Sequence, residues 1–188
     1  MEHPILFSGE MVRAILEGRK TQTRRVIKPQ PDRIRESPFV PSGLETIHGY
    51  PLRCPYGIPG DPLWVRESWK PIHHKTRMEE TYVRYRADDG LKSIKHTMKM
   101  DVPTKWRPSI HMPRWASRIT LEVVEIHAQQ LHNISVLDAR AEGIAPQHGR
   151  REVEDYIVLW NSINAKRGLG WDTNPWVWVI EFKVKNGR

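Results

Sequence analysis

The sequence predicts an α+β domain in which several strands are separated by short helices, rather than a doubly wound sheet. Three observations carry this. Ile119, Leu121 and Val123 alternate with Thr120, Glu122 and Val124. Leu63–Trp69 and Trp176–Phe182 are aromatic, β-branched runs. Short amphipathic segments open at Ser8 and Ser135 with capping residues. A period of two argues for strands, and a side-chain oxygen before an apolar helical face argues for a helix start.

In chain order, Ser8–Glu17 reads as a helix. Ser8 caps it, Glu10 lies in the positive first turn, Met11, Val12, Ile15 and Leu16 form its apolar face, and Gly18 stops it. Arg19–Ile27 leaves that helix carrying several cations. Lys28–Pro59 holds seven prolines and reads as a long irregular excursion. Gly60–Pro62 turns into the strand Leu63–Trp69, and Thr81–Arg86 is another short strand. The Lys-rich stretch 91–107 shows no clear period and reads as a surface insertion. Ala116–Gln129 is the clearest strand. Ser135–Asp138 has capping-box spacing and opens a helix that Gly143 ends. Val153–Ile163 is a third helix, with Val153, Ile157, Trp160 and Ile163 near one face. Gly168–Pro175 leads to the closing strand. The expectation is one domain over 1–188, with insertions at about 28–59 and 91–107.

Composition excludes several classes. Apolar residues make up 38% and charged residues 28% of 188, and no run reaches the roughly 18 apolar residues of a membrane span. One cysteine, Cys54, leaves no intrachain disulfide and cannot supply a zinc deaminase's Pro-Cys-x-x-Cys. Nine histidines include only one adjacent pair, His73-His74, and no His-Glu-x-x-His, so no metal site is expected. There is no phosphate-cradling Walker loop and no dinucleotide fingerprint. No cofactor is expected. A soluble cytoplasmic monomer is the expectation. Thirty Lys and Arg against 22 Asp and Glu give +8, which suits phosphate-bearing partners or simply a solubilising surface.

Gly18-Arg19-Lys20-Thr21-Gln22-Thr23-Arg24-Arg25 is the densest chemical motif. It sets an ammonium and a hydroxyl three residues apart among guanidinium groups. A turn in the backbone lets Lys20 and Thr23 face one cleft, whereas a straight strand sends them to opposite sides. Cationic neighbours lower a lysine's pKa, and a lysine beside a hydroxyl is one route to an activated nucleophile. On the residues alone, a basic loop facing phosphate or water is the simpler reading.

Gly18-x-Lys20-x-x-Thr23-x-Arg25 resembles the signature of ASCH domains, which are PUA-like mixed β-barrels with short flanking helices. Thr23 stands where Glu is common in that family. With Thr there, the motif is similar to small bacterial ASCH proteins that hydrolyse N4-acetylcytidine. The resemblance extends over Gly60-Asp61-x-Leu63-Trp64-Val65-Arg66-Glu67, Ile134–Gly143 and the Trp-rich closing strand. Pro108–Trp115 is similar to larger phage and prophage ASCH proteins.

The resemblance implies an amidohydrolase with catalytic Lys20, Thr23 and a glutamate. Glu142 takes that place, with Glu67 the rival. Arg25, Trp64, Glu67 and Trp69 are candidates for holding a nucleoside or nucleobase. His111 could line the cleft, but packed beside Met112, Pro113 and Trp115 it reads as structural. The alternative reading is a non-catalytic RNA-binding module.

Overall fold

In the computed structural model the described residues are 1–38, 44–73, 81–94, 105–146 and 151–185. Strands β1 (His3–Leu6), β2 (Gln22–Val26), β5 (Pro62–Arg66), β9 (Thr120–Gln130) and β10 (Trp176–Val184) form the central sheet, in the order β1-β5-β9-β10-β2. Only the β1–β5 pair is parallel. Alternation along β5 and β9 drives Leu63, Val65, Leu121 and Val123 inward, where they meet Ile5, Phe7, Val12, Ile15, Ile180 and Phe182 in the main core. Between Glu181 and Phe182 the register shifts by one residue, leaving Val124 as a bulge that bends β9.

Helix α1 (Gly9–Leu16) carries the chain from one edge strand to the other. The Ser8 hydroxyl accepts from the Met11 amide, and Gly18 takes φ +73° at the exit. No backbone ladder joins β1 to β2. The Arg25 guanidinium spans the gap instead, donating to the Leu6 carbonyl at 2.5 Å and lying 5.1 Å from the Phe7 ring. The sheet therefore curls until its two edges are within reach of a side chain.

Helix α2 (Val136–Ala141) has its capping box, with Ser135 and Asp138 each accepting from the other's amide. Helix α3 (Glu152–Asn164) buries Glu152, Tyr156, Trp160 and Asn164. This corrects the expected face: Ile163 is exposed, and the buried stripe runs every fourth residue from 152. A second core cluster joins Tyr156 and Trp160 to Leu131, Ile134, Ala139, Val177 and Val179.

Four further expectations change. The run Leu63–Trp69 is not one strand. It breaks after Arg66, and β6 (Trp69–His73) pairs with β7 (Thr81–Tyr85) and β8 (Leu91–Ile94) in a separate three-stranded sheet. The excursion 28–59 contains a hairpin of β3 (Ile34–Glu36) and β4 (Leu44–Thr46). The Lys-rich stretch begins as β8, and its residues 95–104 lie outside the described ones. Ala116, the expected start of the long strand, instead closes a short 3-10 turn, and β9 begins at Thr120.

Candidate active site

Because β2 is an edge strand, its free side is open to the end of α2. The Thr21 amide donates to the Ala141 carbonyl, and Lys20 and Glu142 form an antiparallel bridge. Gly143, at φ +97°, then turns the chain away. This junction brings Lys20 and Glu142, 122 residues apart, into one buried cluster.

The Lys20 ammonium is wholly enclosed and donates three times: to Glu142 Oε2 at 2.7 Å, to the Glu142 carbonyl at 2.8 Å and to the Gln22 carbonyl at 2.8 Å. Arg24, equally enclosed, reaches Glu142 Oε1 at 3.3 Å and Asp138 Oδ2 at 3.3 Å. With its amide oxygen turned inward, Gln129 accepts from Arg24 at 2.7 Å. Two cations therefore hold the two oxygens of one carboxylate. Burial depresses the Lys20 pKa below the usual lysine value, and the Glu142 charge opposes that shift. Tyr156, raised well above the ordinary phenol range by burial and then by the Glu142 charge, remains a neutral hydroxyl.

Thr23 is buried on β2, sharing by alternation the strand face of Arg25. Arg25 and Lys20 both approach Phe7, Lys20 with its ammonium 5.7 Å from the ring centre. Among the described residues no hydrogen bond joins Thr23 to Lys20, whose three protons are committed elsewhere.

The remaining candidates are dispersed. Glu67 is buried against the Arg118 guanidinium at 2.9 and 3.0 Å, and Arg118 also binds Asp88 at 2.7 and 2.8 Å. Burial raises the Glu67 pKa, with Arg118 opposing. This network braces the junction between the two sheets and makes no contact with Lys20 or Glu142 among the described residues. Trp69 is fully buried, edge-on to Trp115 at 5.6 Å and covered by Arg107 at 5.0 Å, which leaves no ring face for a base. Trp64 is half-buried under Arg66 at 5.4 Å. His111 is exposed, and His74 lies outside the described residues. Among the described residues no three His, Cys, Asp or Glu side chains gather as a metal site.

Two clefts flank the cluster. One of about 340 Å³, between α1 and α3, has Glu142, Gly143, Met11 and Asp155 in its wall. The other, about 780 Å³, runs from Arg25 along residues 26–32 and 46–56 to α3. Lys20 and Thr23 line neither, so they sit behind the walls that Glu142 and Arg25 present.

Arg24 and Phe7 are the participants that the sequence reading did not single out. For Arg24 the signal was available: it shares the strand face of Gln22, and that face meets α2. Gly143 is a second control point. A Cβ there would lie 3.0 Å from Ala14 Cβ and 3.2 Å from Lys20 Cβ, at a positive φ. Gly143→Ala should therefore cost about 1–3 kcal/mol and displace the Lys20–Glu142 bridge. A denaturant midpoint checks the first, and loss of turnover the second.

No family model matches the chain, and no curated protein matches it. Among solved structures it is similar to an ASCH domain from Lactobacillus crispatus JV V101. The identity is 11%, over 97% of this chain and 79% of that one, with a TM-score of 0.45. It is also similar to protein EF3133 from Enterococcus faecalis V583, of the family model DUF984. There the identity is 10%, over 100% of this chain and 86% of the other, with a TM-score of 0.45. At that overlap neither likeness assigns a residue. What this chain's own coordinates define is an α+β protein whose curled mixed sheet carries a buried Lys–Glu–Arg cluster at its edge.

Proposed function

We propose that the chain is an amidohydrolase that cleaves the exocyclic amide of N4-acylated cytosine nucleosides, with Thr23 as nucleophile, Lys20 as base and Glu142 assisting. The observation that carries this is the enclosed Lys20 ammonium 2.7 Å from the Glu142 carboxylate. A buried ion pair is a poor way to gain stability, since desolvation offsets the attraction. A buried lysine with a lowered pKa, beside clefts, has the properties of a working base.

Loss of one proton leaves Lys20 two N–H bonds and a lone pair. Keeping both Glu142 contacts, it gives up the Gln22 carbonyl, and the lone pair then lies against the Gln22–Thr23 peptide. In the proposed step it takes the Thr23 proton as Oγ attacks the acyl carbon. The resulting ammonium passes that proton to N4 of cytosine as the C–N bond breaks, and Glu142 orients the amine. Lys20 then takes a proton from water as the oxygen attacks the ester carbon and returns it to Thr23 Oγ as the C–O bond breaks, which releases the carboxylic acid and restores both groups. Cytosine is a favourable leaving group because its ring delocalises the electrons on N4. A route in which Lys20 and Glu142 activate water directly, with Thr23 only hydrogen-bonding, uses the same cluster.

Neutral Lys20 is the active form, and burial lowers its pKa. Turnover should therefore climb as pH rises and level off below the ordinary lysine value of about 10.4. A kcat–pH profile on N4-acetylcytidine tests this, and a rate falling between neutral and mildly alkaline pH contradicts it. A protein that only reads RNA would show no conversion at any pH.

A further inference from the structure

The 780 Å³ cleft is built from charge that the rest of the molecule does not neutralise. Its wall carries Arg25, Lys28, Arg53 and Arg167 against one carboxylate, Asp32. Lys28, Arg53 and Arg167 are exposed, and among the described residues none of them pairs with a carboxylate. Among the described residues Arg25 donates only to the Leu6 carbonyl, and its Nε is buried without a partner.

Several cations outside the cleft are matched, Arg114 with Glu2, Arg118 with Glu67 and Asp88, Arg140 with Glu152 and Lys183 with Glu122, and Lys70 and Arg86 instead approach the Trp106 ring. Like charges collected in a concave wall focus the field and draw in an anion. Aromatic rings narrow the choice of anion. Tyr56 lies half-buried beneath the Arg25 guanidinium at 6.0 Å, and Tyr50 stands at the rim with 70% of its surface exposed. A wall of cations beside an open aromatic face suits a phosphate joined to a stacking base.

We propose that this cleft binds the phosphates of a nucleotide, with Arg53, Arg167 and Lys28 on the phosphates and Tyr50 against a base. Arg25 links it to the catalytic cluster, because Arg25 and Lys20 approach the same Phe7 ring. The site stands independently of turnover at Thr23. Its ligand is a free nucleotide or a single strand of RNA, which share this chemistry.

Binding is read by fluorescence anisotropy at physiological salt, using a labelled single-stranded RNA of about 12 nucleotides with CMP and cytidine as competitors. The double variant Arg53→Glu/Arg167→Glu should weaken binding by roughly tenfold or more. It should also flatten the slope of log K against log salt by about 1.4. Lys70→Glu/Arg86→Glu, an equal charge change on the β6–β7 sheet, should leave both nearly unchanged. Displacement of RNA by CMP but not cytidine assigns the site to free nucleotides, and displacement by neither assigns it to a strand. No binding of RNA or CMP, or equal weakening in both double variants, overturns the inference. Thr23→Ala separates the two proposals: it should lose turnover and keep binding. Turnover in a wild-type protein that binds neither RNA nor CMP defeats the cleft alone.

Discussion

Replacing Glu142 by alanine is expected to cost about 3–5 kcal/mol of folding stability and to reduce turnover to background. Lys20 and Arg24 both lie wholly out of water, and Glu142 is the carboxylate that meets both. Without it the ammonium retains two carbonyl partners and no counter-charge. It must then shed its proton, or the junction of β2 and α2 must open. Glu142→Gln keeps the shape and loses the charge, so it should recover part of the stability and none of the turnover. The more telling variant is Lys20→Met/Arg24→Met/Glu142→Leu, since an apolar set of similar volume can match or exceed a buried ion cluster in stability. Arg24 is replaced as well because its enclosed guanidinium would otherwise lose Glu142. That triple variant should unfold near the wild-type denaturant midpoint and remain inactive. Such a result assigns the cluster to chemistry. A triple variant as unstable as Glu142→Ala would assign it to the fold.

The second large effect is expected at Thr23. Its hydroxyl makes no hydrogen bond among the described residues, so Thr23→Ala should change stability by less than about 1 kcal/mol. Turnover should fall on the order of 10⁴-fold or more, the scale of losing a nucleophile. Thr23→Ser keeps an attacking oxygen and should retain measurable activity. If water attacks directly, Thr23→Ala loses only about 10–100-fold, the scale of one positioned hydrogen bond. Rates on N4-acetylcytidine for the two variants separate the routes.

Much of this architecture was legible in local chemistry. Ser8, Gly18, the Ser135–Asp138 box and Gly143 mark helix ends because capping depends on neighbours within four residues. The strand around Leu121 was legible because alternate residues are buried, and the one around Val179 because it is an unbroken apolar run buried on both faces. What failed depends on partners far along the chain. Glu67-Ser68 divides β5 from β6 because Trp69 belongs to another cluster, with Val83, Tyr85 and Met112. No period within Leu63–Trp69 encodes that change of sheet. The buried face of α3 was misread because Tyr156 and Asn164 turn inward with Trp160, while Val153 and Ile157 are half-buried and Ile163 stays exposed. At the site, Lys20 and Thr23 stand out by their motif. The meeting of Lys20 with Glu142 rests on β2 being an edge strand, which a single sequence does not reveal. Trp69 was chosen as a stacking residue for its type alone, and Trp115 and Arg107 already occupy its faces.

In the proposed reaction an enclosed lysine, held by a glutamate 122 residues further along the chain, deacylates a cytosine nucleoside. The ultraviolet change as chelator-treated protein converts N4-acetylcytidine to cytidine reads this reaction, with Lys20→Ala, Thr23→Ala, Glu142→Ala and Glu67→Ala run in parallel. Conversion is expected in the wild type and in Glu67→Ala, and none in Lys20→Ala or Glu142→Ala. Conversion that survives in Lys20→Ala, or that disappears only in Glu67→Ala, would contradict it.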